Sequence, residues 1–135
     1  MFKKLMLLKI VLFLQMLAGN VVAQEEEASV LESEQGFYRL SYESQLNPIV
    51  INQMHSWILH VDNADGKAVS DAEISVGGGM PQHNHGLATA PSIMAIGNGN
   101  YQLQGLRFHM MGHWELELSI SSGGIEDKVL VVLDL

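Results

Sequence analysis

Between a run of glycines and a single glycine, the segment Gly79-Met80-Pro81-Gln82-His83-Asn84-His85-Gly86 gathers one thioether and two imidazoles. Thioether and imidazole are ligands for copper, whereas calcium and magnesium take oxygen donors. His83 and His85 stand two apart, so in an extended segment both rings share a face. Met80 precedes them, and Pro81 stiffens its approach. A second cluster, His109-Met110-Met111-Gly112-His113, lies downstream. The candidate metal ligands are therefore Met80, His83 and His85, with Met110 and His113 as completing donors and Met111 as a further one. Alternation in a strand sets Met110 with Phe108 and His109 with Met111, so both methionines face one site only across a bulge. Gly112 allows one.

Copper is the expected ion, because methionines cluster near the histidines. Zinc is the alternative, since it accepts imidazoles but favours carboxylate or more nitrogen over thioether. Another reading needs no metal. Met110 packs into a core between Phe108 and Trp114, and His83 and His85 brace the loop by bonding backbone carbonyls. His55 and His60 flank Trp57 in a strand and read as surface or satisfied, partly buried histidines. The chain has no cysteine. That removes thiolate metal sites, a cupredoxin-type electron-transfer centre, thiol catalysis and a lipidated N-terminal cysteine. No Gly-x-Ser-x-Gly elbow is present either, so the chain is not expected to be an enzyme.

The elements that must carry these residues read as strands. Phe37 to Tyr42 alternates, with Tyr38, Leu40 and Tyr42 on one face. Trp57, Leu59 and Val61 share a face, as do Ala72, Ile74 and Val76. Ser92 to Ile96 and Tyr101 to Leu103 are shorter extended stretches. Trp114, Leu116, Leu118 and Ile120 alternate with His113, Glu115, Glu117 and Ser119, and Val129, Val131 and Leu133 close the chain. Asp65-Gly66 is a hairpin signal; Gly97-Asn98-Gly99-Asn100 and Ser121-Ser122-Gly123-Gly124 are turns. About seven short strands without a convincing helix predict an all-β, immunoglobulin-like antiparallel β-sandwich.

Residues 1–23 read as a cleaved secretory signal. Met1-Phe2-Lys3-Lys4 is basic, Leu5 to Ala18 is apolar apart from Lys9 and Gln15, and small residues precede a cut after Ala23. The apolar run is short for a spanning helix, so no membrane insertion is expected after cleavage and the location is periplasmic or otherwise exported. Residues 24–35, with Glu25-Glu26-Glu27, Glu32 and Glu34, read as a flexible acidic leader. Residues 36–135 form the domain. Lys3, Lys4 and Lys9 leave with the signal, so Arg39, Lys67, Arg107 and Lys128 face fifteen acidic residues. Such a surface repels nucleic acid and anionic lipid and favours cationic partners, metal ions included.

Taken together, Asp65-Gly66, Ala72 to Val76, Met80-Pro81-Gln82-His83-Asn84-His85-Gly86, Pro91, Gly99-Asn100-Tyr101, and Gly105 through Phe108, Met110, Gly112 and Trp114 resemble the YtkA-like family. These small bacterial domains are exported or membrane-tethered. The likeness runs from about Met54 to Leu133. It implies an immunoglobulin-like sandwich. Related domains occur beside FixH-type proteins, which are linked to assembly of copper-containing oxidases; the family as a whole implies no settled activity. Met111 stands where the family pattern commonly has Pro, and His113 fills a variable place. The functional expectation is an exported envelope module that binds or delivers copper through the His/Met loop. The alternative is a structural or protein-interaction domain of the envelope, whose partner is another envelope protein.

Overall fold

The computed structural model describes residues 29–135. The expected signal segment and the start of the acidic leader lie outside them. Nine strands follow one another: β1 Leu31–Glu32, β2 Tyr38–Ser44, β3 His55–Asn63, β4 Glu73–Met80, β5 His85–Gly86, β6 Ser92–Gly97, β7 Asn100–Leu106, β8 His113–Ser122 and β9 Ile125–Asp134. β1 and β5 are two-residue additions. The other seven are the strands that alternation predicts. They form two antiparallel sheets, β1-β2-β3-β7-β6 and β5-β4-β8-β9. Lettered A to G in chain order, the seven long strands give sheets A-B-E-D and C-F-G, the constant-type immunoglobulin arrangement.

The core follows from the period of two. Leu40, Trp57, Leu59, Leu103, Leu106, Phe108, Trp114, Leu116, Leu118, Ile120 and Val129 are fully buried between the sheets. Their strand neighbours point to solvent, so each sheet is covered on one face only, as expected for antiparallel pairs. Phe108 ties the sheets through aromatic contacts, lying 6.4 Å between centroids from Trp57 of β3 and meeting Trp114 of β8 edge-on at 5.1 Å. Within the first sheet Tyr42 stacks on Trp57 at 4.5 Å. With no disulfide, this packed layer is the main source of stability.

The Asp65-Gly66 turn forms, but it is not the tip of an in-sheet hairpin. The Asn63 side-chain oxygen accepts the N–H groups of Asp65 and Lys67, and Gly66 N–H donates to Asn63 carbonyl. The returning arm touches β3 only around Ala68 and Val69, then crosses to the second sheet. Tyr101 pins that crossing: its hydroxyl donates to Val69 carbonyl at 2.5 Å and accepts Ala72 N–H at 3.0 Å.

Residues 31–35, expected to close a flexible leader, lie against the sandwich. Leu31 and Glu32 pair with Leu40 and Arg39, and Glu34 N–H donates to Lys128 carbonyl. Leu31 has apolar core to cover, which a solvated spacer lacks. Asp127 secures this edge. It is 2% exposed and accepts the N–H groups of Gln35, Phe37 and Lys128. Burial alone raises its pKa, but the Ser33 hydroxyl and those backbone donors outweigh burial and hold it below the usual carboxylate value. A depressed carboxylate stabilises the fold above its unfolded value, about pH 4, and that contribution is lost as pH falls through the folded value. Asp127→Asn is therefore expected to lower the melting temperature at neutral pH. The gap to the parent should narrow as pH drops toward about 3; thermal unfolding across that range checks it.

Candidate metal centre

The histidine loop is a tight reversal at the end of β4. Met80 ends the strand, Pro81–His83 makes one 3-10 turn, and Asn84 sits in the left-handed region at φ 52°. β5 then folds back on β4, with Gly79 opposite Gly86 and Met80 opposite His85. The two rings meet by this route rather than by sharing a face of an extended segment. His83 and His85 lie roughly parallel, 6.2 Å apart between centroids. Both residues are exposed. The turn has no side-chain cap. Among the described residues, ring hydrogen bonds belong to His55, His60 and His113. The carbonyl-bracing role that sequence allows for His83 and His85 is thus absent from this geometry.

Glycine builds the loop's seat. A Cβ on Gly78 would collide with the Glu115 carbonyl on β8, and one on Gly79 with the His85 carbonyl on β5. Gly78 also has φ +121°, a region L side chains rarely adopt. Gly77, one residue earlier, has open space. The Gly77-Gly78-Gly79 run lies within strand β4, and at Gly78 and Gly79 the neighbouring backbones leave no room for a side chain.

The other candidate segment is not strand. β7 ends at Leu106 and β8 starts at His113, so the alternation assigned to Phe108–Met111 does not hold. Phe108 is buried, whereas Met110 is 36% and Met111 73% exposed. The loop is held by backbone contacts. Trp114 Nε1–H donates to Met110 carbonyl at 3.0 Å, Asn52 N–H donates to Phe108 carbonyl, and Gly112 exchanges two hydrogen bonds with Leu135. The bulge-permitting glycine of the sequence reading thus sits at φ +134°, bonded to the chain end.

These elements separate the expected ligands. Met80 is the cross-strand partner of His85 but is 1% exposed and belongs to the core, its methyl facing Gly112. Met110 stands partly exposed on the β7–β8 loop. His113 has partners of its own: Nδ1 lies 2.8 Å from Asp134 Oδ1 and Nε2 3.2 Å from Glu115 Oε1. Its ring is not among those in contact with His83 or His85. The ring that does arrive is His109, 5.6 Å from His85 in an edge-to-face arrangement. Sequence reading noticed the His109-to-His113 cluster but left His109 out of the ligand set. The only signal was its membership in that cluster, because its position depends on a loop that alternation does not describe. His55 is buried at 2%, with Nδ1 on Gln53 carbonyl, and His60 is held between Asn100 and Asp62.

Two imidazoles on one ion, each bonded at about 2 Å, place their centroids roughly 5–6 Å apart. The His83–His85 and His85–His109 separations fall in or near that range. Among the described residues, however, no three His, Asp or Glu side chains already converge as a closed ligand set. Beside His85 lies a cleft of about 400 Å³ between the loop and β8, with Glu115 and Glu117 on its far wall. Both carboxylates are engaged there, Glu117 by Lys128 at 2.8 Å and Glu115 by His113 at 3.2 Å.

The fold and the loop define a small immunoglobulin-type sandwich that presents an unbraced histidine pair at one end. The YtkA-like family model matches residues 40–119, more than half of the chain, and spans both the histidine loop and the Phe108–Trp114 segment. The chain therefore belongs to the YtkA-like family. Comparison with curated proteins and with solved structures finds no match.

The glycine contacts predict opposite outcomes two residues apart. Gly79→Ala should destabilise by about 1–3 kcal/mol, the usual range for overpacking. Gly77→Ala should stay within about 0.5 kcal/mol of the parent, and denaturant unfolding of both variants checks this. A second expectation concerns His113. Hydrogen bonds to Asp134 and then Glu115 raise its pKa above the usual histidine value. A raised histidine stabilises fully below its unfolded value, about 6.5, and that contribution is lost as pH rises through the folded value. The melting-temperature deficit of His113→Gln should therefore be larger near pH 5.5 than near pH 8.5 (roughly one unit below and two above that value).

Proposed function

We propose that this chain is an exported envelope module that binds copper, for storage or delivery, through the histidine loop. The observation that carries the reading is the His83–His85 pair: two exposed, parallel rings 6.2 Å apart, neither hydrogen-bonded within the described residues. Unbraced imidazoles on a rigid seat retain their lone pairs for a metal. Copper is preferred over zinc because imidazole sites bind Cu(II) more tightly in the divalent series, and Cu(I) also accepts imidazole and thioether. Met80 pairs with His85 across β4 and β5 but is buried in the core, and Met110 stands partly exposed on the β7–β8 loop. His113 is left to its carboxylate partners. The basic, apolar and small-residue order of residues 1–23 supports export. No catalytic role is assigned to the loop.

A second reading keeps the envelope location but replaces the metal with a protein partner. It is favoured by the exposure of Met54, Met110 and Met111, apolar side chains on loops at the strand ends. One experiment separates the two. The purified chain is scanned for thermal unfolding with and without excess Cu(II), and again with chelator. The copper reading expects a rise of several degrees with copper, by mass action on the folded state, abolished in His83→Ala/His85→Ala. An unchanged melting temperature in both proteins, with copper-independent capture of an envelope protein that Met111→Glu abolishes, supports the second reading.

A further inference from the structure

Resting on the copper reading, one feature of the second loop extends it. The Nδ1 atom of His109 is buried and has no hydrogen-bond partner. Leaving a buried ring nitrogen unpartnered costs its full desolvation penalty. The polar ring packed against this one is His85, 5.6 Å away and edge to face. His109 also meets Trp114, 5.3 Å away and nearly perpendicular. Trp114 is fully buried, and its indole N–H fixes the loop through Met110 carbonyl. His109 is thus held by the core, whereas His83 and His85 stand on an exposed turn.

We infer that His109 is the third metal ligand, and that the ion is held by three imidazoles, His83, His85 and His109, drawn from two loops. The ligand class is a borderline divalent ion, with Cu(II) first in the imidazole series. The three rings form a chain of contacts, His83 to His85 to His109, with centroid spacings of 6.2 and 5.6 Å. They do not converge in the described geometry. Binding therefore draws the exposed turn toward the fixed ring. The ion bridges the β4–β5 turn to the β7–β8 loop, and so couples its site to Trp114 in the core. His113, which sequence reading placed in the site, has both nitrogens engaged by carboxylates and is not required.

The test uses Cu(II) alone on the full chain, with a competing chelator for affinity and electron paramagnetic resonance for the nitrogen count. His109→Phe keeps an aromatic ring against Trp114 and removes both nitrogens; His109→Gln is the second variant in case the first misfolds. The expected result is a Kd weakened about tenfold or more in both variants, in the range of losses seen when metal-site groups are removed. The nitrogen hyperfine pattern should fall from three imidazoles to two, and the metal-free melting temperature should be unchanged or higher. If both variants bind as the parent does, with the same nitrogen pattern, while His83→Ala/His85→Ala loses binding, His109 is not a ligand and only this inference fails. If the parent does not bind Cu(II), or His83→Ala/His85→Ala binds as tightly as the parent, the copper reading fails and this inference with it.

Discussion

The close approach of backbones at Gly78 and Gly79 governs the functional end of this molecule. β4 is gripped on one side by Glu115 of β8 and on the other by His85 and Gly86 of β5, at distances that leave no room for a Cβ. Close backbone approach of this kind is a role only glycine fills without strain. The turn that carries His83 and His85 is therefore not a loose loop hung from the sheet. It is folded back against the sheet, so its two rings are exposed while their backbone is fixed.

A second constraint meets the first. Trp114, near the start of β8, lies in the core, holds Met110 carbonyl with its indole N–H, and meets the rings of both Phe108 and His109. Gly112 is tied to the last residue of the chain, and Met80 fills the space beside it. Core and candidate site thus share residues. Met80, the thioether nearest the histidines in sequence, is committed mainly to packing. The ligand chemistry left at the surface is then chiefly imidazole, with Met110 and Met111 on the β7–β8 loop.

Period-two alternation is set by burial on one face, and this made the seven long strands legible. Trp114, Leu116, Leu118 and Ile120 are buried as read, and so are Trp57, Leu59 and Val61. Where burial does not impose that period, the reading fails. Phe108 to Met111 was read as strand because Phe108 and Trp114 are apolar; the chain instead leaves the sheet at Leu106. The Asp65-Gly66 turn was legible, but not the crossing to the other sheet, because Tyr101 lies far away in sequence. The site was half legible. His83 and His85 announce themselves by spacing, though they meet through a 3-10 turn. The partner Asp134 of His113 depends on register across β8 and β9, and the proximity of His109 to His85 on the path of the β7–β8 loop; local pattern encodes neither.

The metal chemistry proposed for this YtkA-like domain is imidazole chemistry at the β4–β5 turn, seated on glycine and backed by Trp114. X-ray absorption of the copper-loaded chain tests it most directly. The account predicts a first shell dominated by nitrogen, with the multiple scattering of several imidazole rings, and loss of that signature in His83→Ala/His85→Ala. A first shell dominated by thioether sulfur would contradict it, because Met80 or the exposed methionines would then hold the ion.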